Sequence, residues 1–204
     1  MQAACLVAWE LYCRRGDRLL FGPLDLWLEP GEALHLTGPN GIGKTSLIRM
    51  LAGLLRPFVA YDMGSSAMGS ITWQGSFALQ DERPALDPHL PLGQALAFWQ
   101  RLDGHAAPLD RPLERLGLSH LLDVPVRYLS TGQKKRAALA RVIGQRADHW
   151  LLDEPLNGLD RDGVALVEAL IAERRAEGGT VIIASHQPVV MPGAKTIDLR
   201  DHPA

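Results

Sequence analysis

The eight residues Gly38-Pro39-Asn40-Gly41-Ile42-Gly43-Lys44-Thr45 constrain this chain more than any other stretch. They have the spacing G-x-x-x-x-G-K-[ST]. An apolar alternating run precedes them (Ala33, Leu34, Leu36), and apolar residues at helical spacing follow (Leu47, Ile48, Met50, Leu51, Leu54). The pattern predicts a strand, a glycine-rich loop and a helix in succession. Glycines let the backbone curl until several N–H groups converge on one point, and the helix N-terminus behind them makes the concavity an anion site. Lys44 adds a point charge for the β and γ phosphates of a nucleotide. Thr45 offers a hydroxyl to Mg²⁺, an ion that takes oxygen ligands and meets proteins through few side chains. A strand-to-helix turn that binds nothing is the bland alternative, and a match at every fixed position in the right context argues against it.

The remaining bulk properties narrow what such a loop belongs to. A chain of 204 residues is one large domain or a domain with a lobe. Its 21 Lys and Arg against 23 Asp and Glu give a slightly acidic balance, which argues against a nucleic-acid backbone as the main partner. Cys5 and Cys13 form neither a C-x-x-C pair nor a metal cluster with histidines, so a reducing compartment and no structural zinc are expected. No apolar run approaches the roughly eighteen residues needed to span a bilayer, and the N-terminus lacks a basic region followed by an apolar one. The expectation is a soluble cytoplasmic chain, held at a membrane only through a partner.

Leu6 to Cys13 reads as a strand that ends in the polar turn Arg14-Arg15-Gly16-Asp17. Leu24, Leu26 and Leu28 alternate with Asp25, Trp27 and Glu29, a half-buried antiparallel strand, and Pro30-Gly31-Glu32 turns the chain into the strand before the loop. In many nucleotide-binding ATPases of this layout an aromatic from the first strands stacks on adenine; Tyr12 is the candidate here, and is equally well explained as a core or cross-strand aromatic. The segment from Phe58 to Ser70 is rich in Gly, Ser and Ala and reads as a hairpin tip or inserted loop. Ile71 to Gly75 returns to strand. Ala78-Leu79-Gln80 ends another, before the bend Asp81-Glu82-Arg83-Pro84. A glutamine there can reach a metal ion and an attacking water, although a lone glutamine is usually solvated surface.

From Pro91 to Ala147 short helical patterns are punctuated by Pro and Gly, which predicts a small helical lobe over about residues 87–146 beside a core of 1–86 and 147–204. The lobe ends in Leu129-Ser130-Thr131-Gly132-Gln133-Lys134-Lys135-Arg136. Ser130 followed three residues later by Gln133 fits a capping box, so a helix begins here. Three cations then crowd its first turn, where the helix dipole disfavours them, and an anion at that N-terminus would resolve the conflict.

Leu129-Ser130-Thr131-Gly132-Gln133 resembles the LSGGQ signature of ABC-type ATPases, with Thr131 in place of the first of the paired glycines. With the phosphate loop upstream, the likeness covers nearly the whole chain. It implies a single α/β domain: a P-loop NTPase of ABC type, with a mixed sheet core, an antiparallel β subdomain and a helical lobe. It also implies ATP and Mg²⁺ as ligands. Trp150-Leu151-Leu152-Asp153-Glu154-Pro155 reads as a buried strand ending in two carboxylates; Asp153 suits Mg²⁺ and Glu154 the attacking water. Leu156-Asn157-Gly158-Leu159-Asp160 resembles the family's D-loop. A helix from Gly163 to Arg175 leads to the buried strand Thr180–Ala184, with Ser185 and His186 at its end, where open α/β sheets place ligands.

The resemblance thus implies a nucleotide site of Gly38 to Ser46, Gln80, Ser130 to Gln133 and Asp160, with Glu154 and His186 catalytic and Thr45, Asp153 and Gln80 at the metal. It further implies two copies facing head to tail, so that the Ser130 helix of one closes over the γ-phosphate held by Lys44 of the other. His186-Gln187-Pro188, the ending soon after, and the signature running into Lys-Lys-Arg look like the ATPase subunits of cytochrome c maturation systems. That likeness implies a peripheral subunit on the cytoplasmic face of a bacterial inner membrane, paired with an integral membrane subunit of the CcmB type and serving haem export or haem-chaperone release. No C-x-x-C-H is present. ATPases of lipoprotein release, cell division or small-molecule export share every motif. A repair ATPase would need a long heptad insertion, which is missing, and a scaffold without turnover is the remaining alternative. Two departures stand out: the usual aromatic is absent near Arg15, and extra residues before Pro84 leave Gln80 and Glu82 competing for one role.

Overall fold

In the computed structural model, residues 5–59, 69–104 and 109–203 are described. Most of the Phe58–Ser70 segment therefore lies outside the described residues. Two sheets organise the chain. The first is antiparallel, in the order β2-β1-β4: β1 is Leu6–Arg15, β2 Arg18–Leu28 and β4 Ser70–Trp73. The alternation read in the sequence of β2 is the alternation observed, with Leu24, Leu26 and Leu28 buried and Asp25 and Trp27 exposed. β1 bends where Glu10 takes a φ of 51° and its register with β2 slips between Ala8 and Leu11, a bulge that adds twist.

The second sheet has five strands in the order β5-β6-β7-β3-β8, and all its pairings are parallel. β3 is Ala33–Thr37, β5 Phe77–Gln80, β6 His149–Asp153, β7 Thr180–Ala184 and β8 Lys195–Asp198. The mixed character thus resides in two separate sheets: the β1–β2 hairpin takes β4 on the other edge of β1, while β5, only three residues after β4, joins the parallel sheet beside β6. β6 and β7 are buried at every position, as strands covered on both faces require.

One core lies on each face of the parallel sheet. Leu34, Leu36, Leu151 and Ile182 pack with α1 (Lys44–Leu51) and the antiparallel sheet. Trp150, Leu152, Val181 and Ile183 pack with α5 (Arg161–Ala176) and the helical segments. Those are α2 (Leu92–Leu102), α3 (Asp110–Arg115), two 3-10 turns at Ser119–Leu121 and Val126–Tyr128, and α4 (Thr131–Gly144). Leu92, Ala95 and Leu96 are the buried stripe of α2, as their spacing requires. α1 is shorter than its apolar pattern: Gly53 turns to φ 69°, ends the helix, and leaves Leu54 66% exposed. β8 carries no strand pattern of its own: the polar residues of Lys195-Thr196-Ile197-Asp198 gain their place by pairing with β3.

The nucleotide cleft and its surroundings

The loop between β3 and α1 folds as its glycines dictate. Gly38, Gly41 and Gly43 have φ of 123°, 82° and 119°, a region open to glycine and costly for other residues. Gly43 is also crowded: an added Cβ would stand 2.9 Å from the Phe21 ring. Lys44, 6% exposed, bends back so that its Nζ donates to the carbonyl oxygens of Gly38 at 2.7 Å and Pro39 at 3.3 Å. Ile42 packs over Gly38. The loop forms one wall of a cleft of about 380 Å³, with Asn40, Gly41, Gly43, Lys44, Thr45 and Ser46 lining it.

The facing wall brings the two expected catalytic residues together. Glu154 and His186 stand at the ends of adjacent strands, and Glu154 Oε2 lies 2.9 Å from His186 Nδ1. The other carboxylate oxygen is 3.9 Å from Lys44 Nζ. Glu154 is held in a left-handed conformation, φ 46°, with its N–H donating to Ala184 O at 2.8 Å. Such a conformation in a non-glycine residue stores strain of order 1–3 kcal/mol and turns the side chain out of the strand direction, toward the cleft.

Two buried polar groups at the ends of adjacent strands β6 and β5 have no partners. Asp153 is 1% exposed and neither carboxylate oxygen accepts a hydrogen bond of good geometry; Gln80, 2% exposed, leaves both its amide nitrogen and oxygen unsatisfied. Burial pushes Asp153 from 3.8 up to about 6; the Thr45 hydroxyl acts against this, and Asp81, Glu154 and Glu82 add to it. A desolvated unpaired carboxylate, a desolvated amide oxygen and the Thr45 hydroxyl on the cleft wall are oxygen donors of the kind a hard divalent cation takes, so these residues fit Mg²⁺. Gln80 is beside the cleft and not on its wall, whereas Glu82 is exposed and lines it. Arg49 of α1 grips Asp81 with two hydrogen bonds of 3.1 Å and fixes the bend between them, a pairing thirty-two residues apart that no local pattern announces.

Ser130, Thr131, Gly132 and Gln133 do not line this cleft. The capping box is formed: Gln133 N–H donates to Ser130 Oγ at 3.2 Å and Ser130 N–H to Gln133 Oε1 at 2.8 Å. Gly132 faces the turn after β6 so closely that a Cβ would stand 2.9 Å from Gly158 O. The cations that follow this helix start have partners within the chain. Lys134 donates to Arg127 O, Lys135 to Glu82 O and Arg136 to Leu116 O, so each finds a backbone carbonyl. Lys135 is buried, and desolvation lowers its pKa. Asp160 caps α5, accepting from Gly163 N–H at 2.8 Å, and is likewise outside the cleft. Tyr12 is not a base platform: it is 8% exposed, with its ring against Gly22.

A larger groove of about 710 Å³ lies between α3, the end of α4 and α5, and shares no residue with the cleft. Its Arg115 and Arg174 are already matched by Glu173 and Glu177. The chemistry belongs to the smaller cleft.

This fold and this loop define an ATP-binding cassette, and the ABC transporter family profile matches residues 21–157; the chain belongs to that family. It is 53% identical over 201 residues to the cytochrome c biogenesis ATP-binding export protein CcmA of Novosphingobium aromaticivorans, covering 98% of each chain. It is 51% identical to the CcmA of Sphingopyxis alaskensis, over 88% of this chain and 89% of that one. Among solved structures, an ABC transporter ATP-binding protein from Pyrococcus furiosus superposes with a TM-score of 0.80 at 22% identity, over 98% of this chain and 99% of that one, which shows the shared fold. The chain is accordingly a nucleotide-binding ATPase of ABC type.

Proposed function

We propose that this ATPase is the energy-supplying subunit of a membrane complex that exports haem, or releases a haem-loaded chaperone, during cytochrome c biogenesis. The observation that carries the enzymatic part is the convergence of Lys44, Glu154 and His186 on one cleft floored by the glycine loop. The N–H groups of Gly41 to Thr45 cradle the phosphates of ATP, and Lys44 exchanges its carbonyl partners for the β and γ phosphates. Glu154 orients a water and takes its proton, and the strained backbone beneath it keeps the carboxylate aimed. His186 holds that carboxylate through Nδ1–H, and in the doubly protonated ring Nε2–H donates to the γ-phosphate. Thr45, Asp153 and Gln80 would hold Mg²⁺, which when bound would offset part of the phosphate charge.

Ser130 to Gln133, distant from the loop of their own chain, serve a second copy. Two chains facing across a two-fold axis place each signature helix over the other's γ-phosphate, with Asp160 near the contact. ATP then favours the closed dimer and hydrolysis removes the contacts that favoured it. The partner is an integral membrane subunit of the CcmB type. The chain is peripheral to it on the cytoplasmic face of the inner membrane, a placement supported by the relatives' description as export proteins. Among the described residues no helix is long and apolar enough to cross a membrane. Lys44→Ala tests the site: ATP affinity falls at least about tenfold if Lys44 binds phosphate directly through charge-assisted hydrogen bonds. Unchanged affinity removes the assignment. Recovery of the chain from membranes with an integral subunit, lost when that subunit is deleted, tests the placement.

A further inference from the structure

β8 ends where the phosphate loop begins. Its last residue, Asp198, pairs in register with Thr37, and its Oδ1 lies 3.3 Å from where a Cβ of Gly38 would stand. Gly38 O is the acceptor that Lys44 Nζ reaches at 2.7 Å, so the lysine that serves the phosphates is tied to the residue beside Asp198. Glu154 lies 3.9 Å from the same ammonium. Lys44 thus feels two carboxylates, and the reaction described above uses only Glu154.

Asp198 is firmly held. Arg200, in the 3-10 turn Leu199–Asp201 that follows, closes on it with Nε at 3.0 and 3.1 Å and Nη2 at 2.6 Å, and the Arg200 N–H donates to Oδ1 at 2.9 Å. Leu199 anchors the turn in the core shared with α1, and His202 O accepts from Gly22 N–H at 3.2 Å. The bonds from Arg200, side chain first and N–H next, bring the Asp198 carboxyl down to about 2, and the Lys44 charge adds to them. The group is therefore ionised at neutral pH. Capping of the turn accounts for the bond from Arg200 N–H. It does not account for a carboxylate set against a loop built for anions, where its charge opposes the ligand.

We propose that Asp198 is a positioning residue for Lys44: its carboxylate restrains the ammonium at Gly38 and Pro39, and Arg200, by sharing that carboxylate, sets the strength of the restraint. The proposal rests on the phosphate-loop reading above. To reach the β and γ phosphates Lys44 must leave its two carbonyl partners, and the attraction of Asp198 opposes the move. Arg200 is 68% exposed, so water and salt screen this attraction; it tunes nucleotide affinity and does not prevent binding. The same attraction draws Lys44 back when the γ-phosphate leaves.

The test is the ATP affinity of the full chain in about 0.15 M salt, beside the Tm of each variant without nucleotide. Asn keeps an acceptor for Arg200 N–H, so Asp198→Asn removes the charge and spares the turn. It is expected to tighten ATP binding about two- to fivefold, the range of a screened surface charge pair. Arg200→Ala weakens binding by about two- to threefold, and has no effect once Asp198 is Asn, because Arg200 acts through that carboxylate. In a Lys44→Ala background the gain from Asp198→Asn disappears, since no ammonium is left to release. Unchanged or weaker ATP binding by Asp198→Asn overturns the proposal. A gain that persists in full without Lys44 also overturns it, and makes Asp198 a charge that repels the phosphates directly. A loss from Arg200→Ala that persists in Asp198→Asn overturns the role of Arg200. ATP affinity unaltered by Lys44→Ala alone is a distinct result: it removes the phosphate-loop reading itself.

Discussion

Asp153→Asn should make the metal-free, nucleotide-free protein more stable while it weakens the site. Asp153 is 1% exposed with both oxygens unpartnered, and burial raises it from 3.8 to about 6. The folded state therefore holds this proton more tightly than the unfolded chain. Stability contributed by the protonated form is full below pH 3.8, falls as pH rises through the interval to 6, and is lost above it. The gap corresponds to about 3 kcal/mol at pH 8 and to about 1 kcal/mol at pH 4.5. Asn is nearly isosteric with the neutral acid, so the substitution recovers those amounts. For a domain of this size each kcal/mol moves Tm by about 2–4 °C, which predicts a rise of about 6–12 °C at pH 8 and about 2–4 °C at pH 4.5. Thermal unfolding in EDTA, followed by circular dichroism at both pH values, measures this. Addition of ATP with Mg²⁺ then stabilises the wild type more than the variant, because a ligand of the folded state raises Tm in proportion to its affinity. A variant less stable than wild type at pH 8, or a pH-independent difference, would refute the reasoning that this carboxylate is buried, charged and waiting for a cation.

Two further outcomes follow from the same geometry. Gly43→Ala places a Cβ at φ 119° and 2.9 Å from the Phe21 ring; strain and overlap together cost about 2–4 kcal/mol, read as a fall in urea midpoint, and Phe21→Leu partly relieves it. Ser130→Arg removes the cap of α4 and loses about 1 kcal/mol of stability. It also leaves ATP binding by the isolated chain intact while hydrolysis disappears, and retained hydrolysis would speak against sites shared between two copies.

The sequence disclosed the parts of the fold whose signals are local. β2 declares itself by alternation, α4 by its capping box, and the loop by glycines that no other residue replaces at these φ values. Glu154 and His186 were legible because strand ends in a parallel sheet collect on one edge, and the register of β6 with β7 places them side by side. What escaped depends on contacts between distant segments. β8 is too polar to show a period, and the grip of Arg49 on Asp81 joins residues thirty-two positions apart. The three cations after Gln133 each reach a backbone carbonyl, which a sequence does not show because it gives charges and not the oxygens that side chains reach. Tyr12 has the residue type of a base platform, and the close approach of Gly22, which the sequence does not reveal, buries it.

The central claim is that one cleft binds ATP and that Glu154 activates the water within it. The most direct measurement is single-turnover hydrolysis by Glu154→Gln beside its ATP affinity. The account predicts affinity within a few-fold of wild type and a rate lower by about 10²–10⁴, the contribution of a positioned general base. A variant that hydrolyses ATP at the wild-type rate would contradict it and place the base elsewhere.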